Sequence, residues 1–182
     1  MDFSKFKTSD WLIIGGGIGI FIFGFFSWVT VSGFGSGGNV FDFFFTGTIP
    51  WILLIAAAVV TFLLIQGTLK QDQLPWPIVI LAATALASLL LLLRLVFNPI
   101  EGKDLIEAAG GDVGRGIGMF LSVVSGLVAT AGAFLNFQAS GGNIKDLTDV
   151  DKLKSSFSKG DNAVPPPPPP PAPPAPPAPP AI

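Results

Sequence analysis

The chain has 182 residues, half of them hydrophobic and only 12% charged, with a net charge of −2 and a mean hydropathy of +0.66. So little polar surface excludes an ordinary soluble domain and places the chain in the membrane class. Cysteine and histidine are both absent and the ten basic residues are scattered, which excludes disulfides, thiolate metal sites, histidine general bases and a nucleic-acid footprint.

Residues 1–10 read as a cytoplasmic N-terminus carrying Lys5 and Lys7. Residues 11–31 follow, 21 positions without a charge, and at about 1.5 Å of rise each this run matches the roughly 30 Å of a bilayer core. It is predicted as a retained first span, since it exceeds the apolar core of a signal peptide and no small-residue cleavage site follows. Residues 32–47 form an extracytoplasmic loop in which Phe41, Phe43, Phe44 and Phe45 surround Asp42, a composition suited to the headgroup zone. The second span is placed at residues 48–69, with Thr48 as its N-cap and Pro50 in its first turn. Residues 70–75 are too short for anything but a helical hairpin on the cytoplasmic side.

The third span, residues 76–97, contains one charge, Arg94. Residues 98–115 make a second extracytoplasmic loop, with a short surface helix over 103–109. Its acids Glu101, Asp104, Glu107 and Asp112 do not have the spacing of a calcium loop, so it reads as a solvated connector and no metal is expected. The fourth span is residues 116–137. The predicted fold is therefore all-α, a polytopic membrane protein with a four-transmembrane-helix bundle. Residues 138–182 read as a disordered cytoplasmic tail with a polyproline stretch over 165–180, from Pro165 through Pro171 to Pro180. At roughly 3.1 Å per residue that stretch reaches about 50 Å.

With the N-terminus inside, Lys5, Lys7, Lys70, Lys145, Lys152, Lys154 and Lys159 are cytoplasmic, and only Arg94, Lys103 and Arg115 lie outside. That bias places both termini in the cytoplasm. Trp11 and Trp76 are expected as interface anchors at the inner surface, Trp28 and Trp51 at the outer one.

The run GGGIG within the first span superficially resembles a phosphate loop, but no strand precedes it and no Lys-Ser or Lys-Thr follows. Gly15 and Gly19, four apart, instead suit close helix packing. In the fourth region Gly114, Gly118, Ser122, Gly126 and Thr130 recur at every fourth residue, with Ser125, Ala129 and Ala133 as an adjacent stripe. This smooth face is expected to pack on another helix, the first span of the same chain or a second molecule. Arg94 lies within a turn of a span end, where it either snorkels to the headgroups or pairs with Asp42. The proline tail is a ligand for a cytoplasmic polyproline-binding partner or a stiff spacer.

Trp28 in the first span, Asn39 to Asp42 in the loop, Pro75 and Pro77 before the third span, and Gly114 to Gly116 leading into the fourth together make a pattern. On these residues the chain resembles small actinobacterial four-span membrane proteins of unassigned function with a proline-rich C-terminal tail, over about residues 8–138. The layout is also similar to that of mycobacterial proline-rich antigen-like proteins. A role in the bacterial cell envelope is what the resemblance implies, with no reaction or catalytic residue.

The functional expectation is a non-enzymatic scaffold or accessory subunit of a cell-envelope complex in the plasma membrane. Its partners are the lipid bilayer and a membrane protein or a second copy of the chain. The alternative is a small oligomeric transporter or channel, for which Thr61, Gln66, Thr84, Ser88, Ser122, Ser125, Thr130 and Asn136 supply the few intramembrane polar groups. No nucleophile–base pair exists, so no catalytic residue and no cofactor is expected.

Overall fold

A computed structural model describes residues 5–32, 35–69, 74–97 and 103–143, together with 145, 147, 149, 151, 154 and 155. The elements are α1 (Thr8–Phe23), β1 (Val29–Val31), β2 (Gly35–Ser36), a 3-10 turn (Val40–Asp42), a π-helical turn (Phe44–Thr48), α2 (Ile49–Ile65), α3 (Trp76–Phe97), α4 (Lys103–Ala108), β3 (Val113–Arg115) and α5 (Ile117–Ala139). The polyproline stretch, with Pro165, Pro171 and Pro180, lies outside the described residues, as do 70–73 and 98–102.

Among the described residues three helices are long and apolar enough to cross a membrane: Phe44–Ile65, in which the π turn runs into α2, Trp76–Phe97 and Ile117–Ala139. The first run does not form one helix of 21 residues. α1 is apolar but has 16 residues, about 24 Å at 1.5 Å per residue, short of the roughly 30 Å hydrocarbon core. After Gly24 the chain turns, Trp28 swings into the interior, and Val29–Val31 pairs as a strand. The β-branched Val-Thr-Val sequence favours that pleated conformation over continued helix.

The small sheet has the order β2-β1-β3, both pairings antiparallel. Thr30 stands opposite Ser36 on one side and Gly114 on the other. Gly114 is thus a strand residue and not part of the smooth helix face expected of it. Beyond the ladder, Gly116 N–H donates to the Trp28 carbonyl at 2.9 Å and Gly118 N–H to the Ser27 carbonyl at 2.9 Å, satisfying donors at the start of α5. A Cβ at Gly116 would run into the Ser27 carbonyl, so the Gly-Arg-Gly sequence is a backbone docking strip.

Thr48 is not an N-cap. It is already helical and makes no cap bond, because the π turn extends the helix back to Phe44. Gly47 N–H donates to the Phe43 carbonyl at 2.6 Å and Thr48 N–H shares that acceptor at 3.0 Å. Pro50, which lacks an N–H, sits where the widened turn gives way to regular α-helix.

α1, α2, α3 and α5 form a bundle in which α1 contacts α2 and α5, and α3 contacts α2 and α5. Neighbours are antiparallel: Gly132 faces Ser9 and Ile13, Gly16 faces Ser125 and Ala129, and Gly118 faces Phe26. One core cluster, around Ile20, Trp28, Val40, Leu54, Leu91 and Met119, lies toward the sheet; a second, around Ile13, Ala57, Ile80, Leu81, Ala133 and Phe137, lies toward the other end.

Gly15 does not take part in this packing. Nothing lies within 4 Å of a Cβ built on it, whereas one on Gly16 would sit 2.5 Å from the Ser125 carbonyl oxygen and 2.6 Å from Ala129 Cβ. Gly17 is pressed in the same way against Ala58 of α2, and Gly19 against the Ser125 hydroxyl. On α5 the stripe Ser125, Ala129 and Gly132 serves α1, while Gly126 faces Ser88 and Leu91 of α3 and Leu54 of α2. Gly16→Ala is therefore expected to destabilise the protein in detergent by about 1–3 kcal/mol, since backbone must shift to admit the methyl. Gly15→Ala should leave thermal stability unchanged or slightly raised; equal losses from the two changes would refute this assignment of the packing face.

Candidate functional site

Three places gather polar chemistry inside the bundle. Midway along it, Thr130 of α5 donates its hydroxyl toward the Thr84 carbonyl at 2.9 Å and the Gly126 carbonyl at 3.0 Å, and its oxygen is 2.8 Å from the Ser88 hydroxyl. Thr84 donates in turn to the Ile80 carbonyl at 2.9 Å. Thr61 and Ser125 bond back to Ala57 and Leu121, one turn earlier on their own helices. The hydroxyls of Thr61, Thr84, Ser88, Ser125 and Thr130 thus close on backbone or on one another, whereas Ser122, fully buried among them, has no hydrogen-bond partner for its hydroxyl among the described residues.

At the sheet end stands Arg94. Only 2% of it is exposed, and its guanidinium carbon lies 3.6 Å from the centre of the Phe43 ring, a close cation–π contact. Its burial replaces the expected snorkelling, because Phe43 folds inward from the loop while Phe41, Phe44 and Phe45 stay exposed. Asp42 does not pair with it. The exposed Asp42 carboxylate accepts the Asn39 N–H at 2.7 Å, and Asn39 accepts the Phe41 N–H at 2.9 Å, so the Asn-x-Phe-Asp sequence is a self-capped turn. Nearby, Arg115 donates to the Leu95 and Val96 carbonyls at 2.8 and 3.2 Å, covering the last turn of α3.

At the other end, where α1 and α3 begin and α2 and α5 finish, lies a cavity of about 420 Å³. Lys5 and Lys7 line it from the segment before α1 and Asp10 from the first turn of α1, Thr61, Leu64 and Ile65 from α2, Leu74 from just before α3, Trp76 and Ile80 from α3, Asn136 from α5 and Ser140 from just beyond it. Asp10, just 4% exposed, accepts the Lys7 N–H at 2.9 Å through one carboxylate oxygen and the Asn136 amide at 2.9 Å through the other. The chain matches no protein-family model, no curated protein and no solved structure.

Of the expected interface anchors, Trp11 is half exposed and Trp76 lines this cavity. Trp28 is not at a surface: it is fully buried, and its indole N–H points to the Phe23 carbonyl at 3.4 Å. Trp51 belongs to a cluster with Phe21, Phe25 and Phe41, ring centres 5.3–6.4 Å apart. Asp10 escaped the sequence reading as a leader residue. The signal for it was the run Thr8-Ser9-Asp10 just ahead of the apolar stretch, a helix start with an acid in its first turn. Among the described residues no group of three His, Cys, Asp or Glu could hold a metal ion.

Chemically, the cavity offers two exposed lysines, a carboxylate whose oxygens are already engaged, and apolar side chains. Removing the Asn136 amide leaves a buried carboxylate short of a donor, so Asn136→Ala is expected to cost about 1–3 kcal/mol of stability in detergent. Asp10→Asn placed on that background should add far less than it does alone; full additivity in the thermal unfolding cycle would show that the two do not act as a unit.

Proposed function

We propose that this chain is a multi-pass plasma-membrane protein with cytoplasmic termini, and that it serves as a non-enzymatic scaffold or accessory subunit of a cell-envelope membrane complex. The observation that carries the proposal is the closed interior. Gly16, Gly17 and Gly19 on α1 and Ser125, Gly126, Ala129 and Gly132 on α5 are spent on contacts within the chain, and the hydroxyls of Thr84, Ser88 and Thr130 bond to one another and to backbone. Among the described residues a bundle closed in this way offers no continuous polar path for a solute through a single chain, which weighs against the transporter alternative and moves function to the outer surface.

Two surface features suit that role. An apolar groove of about 270 Å³ runs between α1 and α2, lined by Ile14, Gly17, Ile18, Phe21, Ala58 and Val59 among others, with the small residues at its floor. Adjoining it is the aromatic cluster of Phe21, Phe25, Phe41 and Trp51. Large side chains of a second membrane helix fit such a groove.

The cysteine-free sequence allows topology to be read from single introduced thiols. In intact cells Asp104→Cys is expected to react with a membrane-impermeant reagent and Lys145→Cys to react only after permeabilisation; the reverse pattern would invert the orientation proposed above. For the scaffold role, full-length protein and a form truncated after Asn162 are each captured from gently solubilised membranes. Both should retain the same stoichiometric membrane partner, and Phe21→Ala with Val59→Ala should lower its yield. Retention by neither form, or ion or solute movement above empty vesicles by the purified protein, would overturn the proposal.

A further inference from the structure

We propose that the cavity at the Lys5 and Lys7 end of the bundle is a seat for the headgroup of an anionic membrane phospholipid, its phosphodiester held between the two ammonium groups. The volume of about 420 Å³ falls within the range of sites for small ligands. Its position supplies the first reason. It opens where α1 and α3 begin and α2 and α5 end, the depth at which headgroups lie when such helices span a bilayer.

Charge supplies the second. Asp10 is nearly covered and both of its oxygens are engaged, by the Lys7 N–H and by Asn136, while Lys5 and Lys7 are exposed. Among the described lining residues, two lysines set against one engaged carboxylate leave a local excess of positive charge. Basic pockets between membrane helices hold anionic headgroups by this kind of field.

The wall supplies the third. Leu64, Ile65, Leu74 and Trp76 face the same space, and they give glycerol and the first acyl methylenes an apolar surface that free phosphate cannot use. That combination of lysines with aliphatic and indole groups in one lining matches a phospholipid at the junction of headgroup and tail. A chain that held no protein partner would still carry this site.

The test uses the full-length protein in detergent, with native mass spectrometry after addition of phosphatidylglycerol, phosphatidylcholine or inorganic phosphate. The wild type is expected to keep phosphatidylglycerol through delipidating washes, with phosphatidylcholine near background. Lys5→Gln and Lys7→Gln should each lower phosphatidylglycerol retention by about fivefold, and Lys103→Gln, on α4, should not change it. Leu64→Trp, which fills the apolar side while leaving both lysines in place, should lower retention as well, with thermal unfolding confirming that each variant is folded. Equal retention of the two lipids, indifference to the lysine changes, or displacement of the lipid by millimolar inorganic phosphate would overturn the proposal.

Discussion

Everything in this bundle depends on how closely the backbones of α1 and α5 approach. In a membrane the hydrophobic effect does not drive helices together, because lipid tails are as apolar as leucine, so association rests on van der Waals contact and short polar interactions. Gly16 set against Ser125 and Ala129, and Gly132 set against Ser9 and Ile13, let the two helices meet backbone to backbone over much of their length. Contacts that close also bring Cα–H groups toward carbonyl oxygens, a weak but repeated attraction. With α1 fixed on α5, Gly17 can meet Ala58 of α2 and Gly126 can receive Ser88 and Leu91 of α3. The bundle thus closes around one pair.

The two ends are finished by different chemistry. One is sealed by backbone: the β2-β1-β3 sheet, the docking of Gly116 and Gly118 on Trp28 and Ser27, and Arg94 laid on Phe43. The other is left open, with an engaged carboxylate and two lysines around a cavity. Both finishes follow from where backbone polar groups must be satisfied. At the sheet end neighbouring segments satisfy them, and at the cavity end the Asp10 side chain closes the first turn of α1.

The helical character of the chain and its three long apolar helices were legible because a long apolar run with at most one charge is a strong signal that needs no knowledge of neighbours. The end of α1 was not. From Gly24 to Val31 the sequence stays apolar, and an unbroken apolar run reads alike as buried strand and as helix; only the β-branched Val29 to Val31 hinted otherwise. Its pairing partner, Val113–Arg115, lies far along the chain, where local periodicity carries no information. Small-residue packing was foreseeable in kind but not in phase. Three consecutive glycines at 15–17 give no preferred face, and the positions of Ala58 and Ala129 decide which of them is pressed. Arg94 and Trp28 were misplaced for a shared reason: rules for interfaces assume a helix ending in lipid, and both residues here lie beneath a protein cap.

The ladder between β1 and β3 also bears on the order in which the molecule can be built. Val31 is synthesised early and Val113 late, with α2 and α3 between them, so β1 acquires this neighbour only after both intervening helices have emerged. Until then Trp28 has no Gly116 to receive and α1 has no α5 to lie against. Assembly in the bilayer is consequently not a row of independent hairpins added one by one: the earliest helix waits for the latest, and the closing step joins the two extremes of the helical region in a single long-range event. A chain interrupted before that step would present α1 with Gly16 and Gly19 uncovered, a form open to capture by another membrane helix.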